Sequence, residues 1–210
     1  MSARPLLITD CDEVLLHMVV PFREWLDEVH GVNFEFADRN FVTALRRKEC
    51  GTVLEHSEVW AMLRGFFGTE MHRQTPIAGA LETLGRIGDY ADIVVLTNIG
   101  EDEHEGRIAQ LRALGVTAPV FWNQGGKGEP ARRIVDEYQP SAVLFVDDLA
   151  QHHESMAQHV PEAWRLHMVG EPEIAVHIPA AAHAHARIDS WVEAENWIRE
   201  RLLSATAPVG

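Results

Sequence analysis

The sequence is poor in cysteine and contains no long apolar run. Its 210 residues include only Cys11 and Cys50, which are too few for a disulfide framework or a four-cysteine zinc site. No apolar stretch approaches the roughly 20 residues that a membrane-spanning helix needs. The opening "MSARPLLITDCDEV" reaches acidic residues too soon for a signal peptide. These absences predict a soluble, cytoplasmic protein with reduced thiols.

Positive charge is also scarce, with 18 Lys and Arg against 32 Asp and Glu and a formal net charge of -14. We therefore expect neither nucleic acid nor an anionic membrane as a partner, because both are attracted by a strong positive field. A small anionic metabolite stays possible, since a local cation can reverse the sign inside one cleft. The length allows one sizeable core with an insertion, as a monomer or a homodimer.

Short, unbroken apolar segments predict strands that are buried on both faces of a parallel sheet. They are "LLIT" (6–9), "DIVVLT" (92–97), "PVFW" (119–122), "AVLFV" (142–146) and, as a weaker fifth, "WRLHMV" (164–169). Helical patterns lie between them, such as "EDEHEGRIAQLRALG", which begins with acids and ends at Gly115. This alternation indicates an α/β fold with a Rossmann-like, doubly wound parallel sheet.

The alternation of strand and helix stops between residues 17 and 75. The segments "PFREWLDEVHG", "NFVTALRRKE" and "HSEVWAMLRGFFG" all have helical patterns. We therefore predict an all-helical cap over residues 17–75 and a core formed by residues 1–16 and 76–210. Arg46, Arg47 and Lys48 are expected on a solvated helix face of this cap, with substrate steering as the alternative.

Polar residues follow the predicted strands at the edge where open parallel sheets bind ligands. They are Asp10 and Asp12 after the first strand, Thr97 and Asn98 after the second, Lys127 after the third, and Asp147 and Asp148 after the fourth. Carboxylates crowded at one point repel each other unless a cation lies among them, and oxygen ligands suit Mg²⁺. A hydroxyl and an ammonium are suited to holding a phosphoryl group. His152 and His153, which come soon after the last pair of acids, are expected on a helix surface rather than as ligands.

The two aspartates of "DCDEV" favour two different chemical roles. One carboxylate can attack phosphorus and form an aspartyl-phosphate. The other, two residues on, can protonate the leaving oxygen and later activate water. The edge of the predicted sheet is therefore suited to phosphoryl transfer.

Four motifs in this order resemble those of the haloacid dehalogenase (HAD) superfamily of phosphohydrolases. They stand as "DCDEV" (10–14), "VVLTN" (94–98), Lys127 in "GGKGEP", and "VLFVDD" (143–148). The resemblance covers residues 6–148 and depends on all four motifs together, because D-x-D alone occurs by chance in many proteins. It implies a Mg²⁺-dependent phosphatase that acts on a small phosphorylated metabolite, with the insertion as a cap of C1 type.

By position, the resemblance implies that Asp10 is the nucleophile and a Mg²⁺ ligand. Asp12 would be the general acid and base and would bind the metal through its main-chain carbonyl. Glu13 departs from the pattern, which has a small glycine there. Glu13 could disturb the loop that opens the cap, or it could contact substrate or metal.

The later motifs imply the remaining roles. Thr97, with Asn98 beside it, would hold the transferring phosphoryl group, and Lys127 would stabilise its charge and orient the nucleophile. Asp147 would bind the metal, and Asp148 would bind the metal or one of its ligands.

Two other functions stay open at this point. One is a phosphoryl-accepting signalling domain of the receiver type, in which the acid pair comes first and the acceptor aspartate ends the third strand. The third-strand loop here, "NQGGKG", has no aspartate, which disfavours that assignment. The other is a HAD scaffold that has lost catalysis and is kept for binding.

Overall fold

The apolar segments of the sequence form the strands of one parallel sheet. The computed structural model describes residues 3–35, 44–204 and 208. In chain order the elements are β1 (Leu6–Thr9), α1 (Val19–Trp25), β2 (Val32–Phe34), β3 (Leu45–Arg47), α2 (His56–Thr69), α3 (Ala80–Gly88), β4 (Asp92–Asn98), α4 (Glu101–Ala113), β5 (Val120–Asn123), α5 (Gly128–Tyr138), β6 (Val143–Asp147), α6 (Ala150–His159), β7 (Trp164–His167), α7 (Pro172–Ala175), β8 (Ala186–Arg187) and α8 (Trp191–Leu203). A π-helical turn, Leu26–His30, continues α1, and a 3-10 turn, Met71–Arg73, follows α2. Within the described residues, no helix is long and apolar enough to cross a bilayer.

The main sheet has six strands in the order β5-β4-β1-β6-β7-β8. Each neighbouring pair is parallel, and Leu6 of β1 lies opposite Asp92 on one side and Val143 on the other. Strands are added first on one side of β1 and then on the other, which leaves a crevice at the carboxyl end of β1. The predicted Rossmann-like α/β fold is confirmed. The sixth strand, β8, lies at the end of the His-rich segment 177–187.

The two faces of the sheet are covered by different helices. Alternate residues of β1 point to opposite faces, so Leu7 packs with residues of α3, α4 and α8, whereas Leu6 and Ile8 pack with residues of α5 and α6. All four residues of β1 are fully buried. This burial on both faces is the physical reason for the unbroken apolar run at residues 6–8, and it holds the end of β1 in a rigid setting.

The insertion after β1 contributes most of an apolar cluster around Phe22, Trp25 and Phe66, which also includes Val169 and Ile174 of the core. The two ends of the insertion meet where the His17 N–H donates to the Thr75 carbonyl, at 2.9 Å. The domain boundaries at residues 16/17 and 75/76 stay a prediction.

The prediction that the insertion is all-helical is wrong, because β2 and β3 pair as antiparallel strands. Gly31 and Gly51 adopt left-handed φ values of 60° and 70°, and they form the turns just before β2 and just after β3. The helix predicted for "NFVTALRRKE" is replaced by a strand at residues 45–47, and residues 40–43 lie outside the described residues. The three basic residues therefore lie on β3 and its turn rather than on a helix face, and two of them pair with acids, Arg47 with Glu58 and Lys48 with Asp27.

Gly128, the first residue of α5, provides a test of how closely α5 and α6 must pack. A Cβ at Gly128 would overlap the backbone carbonyl of Ser155 in α6, so Gly128→Ala must push two helices apart. We expect this variant to lose about 1–3 kcal/mol of unfolding free energy, measured by urea denaturation. In the control Gly85→Ala, the new Cβ would meet no atom of the described residues within 4 Å, so the unfolding free energy should be unchanged or rise by up to about 1 kcal/mol. Equal effects of the two substitutions would contradict this packing argument.

Candidate active site

A buried lysine joins two of the strand ends at the carboxyl edge of the sheet. Lys127 Nζ lies 2.7 Å from Asp10 Oδ1 and 2.7 Å from Asp147 Oδ2. Burial disfavours the charge on this lysine, but the two carboxylates outweigh burial and raise its pKa above the usual range. Lys127 is therefore a fixed positive charge between the ends of β1 and β6.

Asp10 is held in place by both its backbone and its side chain. Its N–H donates to the Val146 carbonyl at 2.9 Å, and its Oδ1 accepts from the Cys11 N–H at 2.7 Å. Burial raises the pKa of Asp10 to about 7, with the charge of Asp147 adding to the effect and that of Lys127 opposing it. At Asp10, burial and the neighbouring carboxylates together therefore outweigh the ammonium of Lys127.

The carboxylates of Asp10, Asp147 and Asp148 form a group that could hold a cation. One oxygen from each lies within 4.8 Å of the others. The pKa of Asp148 is raised well above its ordinary value by burial and by the charges of Asp147 and Asp10. Burial also opposes the charge of Asp147, but the charge and hydrogen bond of Lys127, together with His152 and His153, outweigh burial and lower its pKa. The three carboxylates offer only oxygen atoms as ligands, and Lys127 is the one ammonium beside them among the described residues. Such a set of ligands fits a hard divalent cation such as Mg²⁺.

Thr97 brings a hydroxyl to the same edge, at the end of β4. It is fully buried, and its Oγ1 has no hydrogen-bond partner among the residues that the structure describes. A buried hydroxyl without a partner is costly, and it commonly marks a place where a ligand or a water completes the hydrogen bond. Thr97 therefore has an unused donor next to the strand end that carries Asp10.

The side chain of Asn98 is hydrogen-bonded to the loop that follows β5. Its Nδ2 donates to the Gly125 carbonyl at 2.9 Å, and its Oδ1 accepts from Asn123 Nδ2 at 3.0 Å. Asn98 thus braces the loop that leads into Lys127. Its contact with substrate stays a prediction.

Asp12 lies next to the site, but its carboxylate is bound by residues that the sequence analysis did not single out. Both oxygens accept from Arg107 Nη2, at 2.9 and 3.0 Å, and Oδ1 also accepts from Gln74 Nε2 at 2.7 Å. Arg107 stands in the charge-rich helix α4, where an arginine is normally solvated. The signal in the sequence that could have indicated its burial was the apolar Leu111, four residues later. Leu111 is also buried and lies on the same face of α4 as Arg107.

The expectation that His152 and His153 lie on a helix surface is wrong, since both are buried. His153 Nε2 lies 3.0 Å from the Asp147 carbonyl oxygen, and His152 Nε2 lies 3.4 Å from Asn98 Nδ2. Burial lowers the pKa of both rings, that of His153 to about 4. Both histidines are therefore uncharged at neutral pH, and they contact the Asp147 backbone and the Asn98 side chain next to the carboxylates.

Glu13 occupies the position where the family has glycine, and it has a left-handed backbone with φ of 58°. Its Oε1 accepts from the N–H groups of Met18 and Val19, at 2.7 and 2.6 Å. These N–H groups begin α1, the first helix of the insertion, and have no partner within that helix. Glu13 therefore links the loop after β1 to the insertion. Burial raises its pKa to about 7.

Comparison with solved structures identifies the fold. A haloacid dehalogenase-like family hydrolase from Streptococcus pneumoniae superposes with a TM-score of 0.64 at 10% identity, over 94% of this chain and 100% of that one. A HAD hydrolase from Bacillus subtilis, determined bound to magnesium, has a TM-score of 0.64 at 13% identity, over 94% and 99% of the two chains. A candidate phosphoglycolate phosphatase from Lactobacillus delbrueckii has a TM-score of 0.61 at 12% identity, with coverages of 94% and 99%.

The chain therefore has the fold of the HAD superfamily, as its motifs predicted. No protein-family model matches the sequence, and no curated protein matches it. At identities this low the likeness establishes the fold alone, so the chemistry must be argued from the residues at the site.

The hydrogen bonds that Glu13 accepts at the N-terminus of α1 can be tested without any substrate. Glu13→Ala removes the acceptor of two N–H groups, and we expect a loss of about 1–3 kcal/mol of unfolding free energy. Glu13→Gln keeps a carbonyl oxygen at the same place and should stay within about 1 kcal/mol of the wild type. Alanine and glutamine carry the same backbone strain at this φ, so urea denaturation of the pair isolates the hydrogen bonds. Equal losses in the two variants would show that the carboxylate does not cap α1.

Proposed function

We propose that this chain is a Mg²⁺-dependent phosphatase that hydrolyses a small phosphomonoester through an aspartyl-phosphate on Asp10. The observation that carries the proposal is the position of Lys127, buried and 2.7 Å from both Asp10 and Asp147. A fixed cation beside a candidate nucleophile is what transfer of an anionic group requires. The substrate would be a small phosphorylated metabolite, and we expect a cytoplasmic monomer or homodimer.

The reaction has two displacements at phosphorus. In the first, a carboxylate oxygen of Asp10 bonds to phosphorus while the bond to the leaving oxygen breaks, and Asp12 gives that oxygen a proton. In the second, Asp12 takes a proton from water, which attacks phosphorus and releases Asp10 and inorganic phosphate. Lys127 neutralises charge on the phosphoryl oxygens, and the Thr97 hydroxyl donates to one of them.

Asp10, Asp147 and Asp148 would hold the metal, joined by the main-chain carbonyl of Asp12. When bound, the ion supplies positive charge that reduces the repulsion between the carboxylates and the phosphate. The magnesium in the Bacillus subtilis hydrolase of the same fold supports this assignment by analogy.

The two alternative functions fit the site less well. A receiver domain does not need an acid and base two residues beyond its acceptor, whereas Asp12 follows Asp10 at that spacing. A scaffold that had lost catalysis because of Glu13 should have a disturbed nucleophile. The carboxylate of Glu13 instead accepts from Met18 and Val19, and the pairing of Asp10 with Lys127 is intact.

Phosphate release from p-nitrophenyl phosphate and a panel of small phosphomonoesters tests the function. We expect turnover that is abolished by EDTA and restored by Mg²⁺, and a fall in kcat/KM of about 1,000-fold or more in Asp10→Asn, which lacks the nucleophile. The control Asp89→Asn changes an exposed aspartate at the end of α3 and should keep wild-type activity. No release by the wild type from any ester would overturn the proposed function, and retained turnover in Asp10→Asn would overturn the nucleophile assignment.

Thr97 gives a test in which stability and activity should move in different directions. Thr97→Val is nearly isosteric and removes a buried hydroxyl that has no hydrogen-bond partner in the described part of the chain, so the melting temperature should be unchanged or higher. The phosphoryl group would lose a donor, and we expect kcat/KM to fall about 100-fold. Thr97→Ser keeps the hydroxyl and should recover most of the activity. A valine variant that is less stable but fully active would contradict the role of Thr97.

A further inference from the structure

Arg107 is a buried charge that the two displacements do not use. It is 0% exposed, and in the described part of the chain its single ion-pair partner is Asp12. The charge of a guanidinium is costly to bury, and it is tolerated only where the partner is close and well aligned. Here one nitrogen, Nη2, contacts both oxygens of Asp12, at 2.9 and 3.0 Å.

One donor of the guanidinium, Nε, is buried and has no hydrogen-bond partner among the described residues. An arginine that served only to fill space would be replaced at lower cost by an apolar side chain of similar size. The arrangement therefore favours a role that depends on the Asp12 carboxylate.

The same guanidinium also ties Asp12 to the segment where the insertion returns to the core. Arg107 Nη1 donates to Gln74 Oε1 at 3.0 Å and to Gln110 Oε1 at 2.9 Å. Gln74 Nε2 donates in turn to Asp12 Oδ1, and Gln110 Nε2 donates to the Met71 carbonyl at 2.5 Å. The guanidinium lies 5.6 Å from the ring centre of Phe67, in α2. Helix α4, the insertion and Asp12 thus meet at one side chain.

We propose that Arg107 is a positioning residue, which fixes the carboxylate of Asp12 for proton transfer to the leaving oxygen. The role rests on the proposed function, in which Asp12 is the acid and base. General acid catalysis depends on a donor within hydrogen-bond reach of the leaving oxygen, and a displacement of about 1 Å can cost about 100-fold in rate. Without Arg107, the Asp12 carboxylate keeps Gln74 as its only remaining side-chain partner among those described.

Two aryl phosphates of nearly the same shape separate positioning from general loss of structure. Phenyl phosphate leaves as a basic phenolate that needs a proton, whereas p-nitrophenyl phosphate leaves as a stabilised anion that does not. In Arg107→Met we expect kcat/KM to fall about 10- to 100-fold for phenyl phosphate and about threefold or less for p-nitrophenyl phosphate. Arg112→Met changes an exposed arginine of the same helix and should leave both values unchanged.

A second variant covers the case in which Arg107→Met does not fold. Arg107→Lys keeps the charge, but one ammonium cannot reach Asp12, Gln74 and Gln110 in the same geometry. We expect a smaller loss with the same dependence on the leaving group. Equal losses on both esters, in either variant, would overturn the positioning role while the proposed function stands.

A measurement without turnover tests the contact itself. Melting temperatures of Arg107→Lys, Asp12→Asn and the double variant form a double-mutant cycle. We expect the melting temperature of the double variant to fall by less than the sum of the two single decreases. Additive losses would show that the two side chains do not act together and would overturn the proposal. An inactive wild-type protein would remove the proposed function and the positioning role together.

Discussion

The site depends on the electrostatic balance around Lys127. Parallel strands bring their carboxyl ends to one edge, and in this chain that edge collects Asp10, Asp147 and Asp148. Their mutual repulsion opposes folding, and a single buried ammonium, 2.7 Å from two of them, offsets only part of it. Burial at this edge raises the pKa values of Asp10 and Asp148, and the charge of Asp147 adds to both shifts. A divalent cation would complete the balance, and so the chemistry and the stability of the site are linked through the same charges.

The insertion is attached to this site at both of its ends. Where the chain enters the insertion, the Glu13 carboxylate accepts hydrogen bonds from the N–H groups that begin α1. Where the chain returns to the core, Gln74 and Arg107 both donate hydrogen bonds to the carboxylate of Asp12. Because Asp12 and Glu13 are adjacent in the chain, the same short loop receives both connections. The departure from the glycine of the family pattern therefore adds a link to the insertion and leaves the pair of Asp10 and Lys127 intact.

Several features could be predicted because they follow from local sequence. Strands buried on both faces must be apolar throughout, which made β1, β4 and β6 easy to recognise. The polar residues that end them share one edge because the strands are parallel. The pairing of β2 with β3 was missed, since strands of 3 residues have too few positions for a clear apolar pattern. The burial of His152 and His153 was missed because it depends on which face of α6 meets the sheet.

The sequence by itself determined the α/β fold class, the order of the motifs and the set of polar side chains at the ends of the strands. These properties follow from the periodicity of apolar residues and from the direction of parallel strands, and both can be read along the chain. Only the tertiary structure decided which carboxylate pairs with which cationic side chain. The contact of Arg107 with Asp12 joins residues 95 positions apart, and no local pattern specifies it. Long-range pairing of buried charges depends on the angle at which α4 packs against the loop after β1, and that angle exists only in the folded chain.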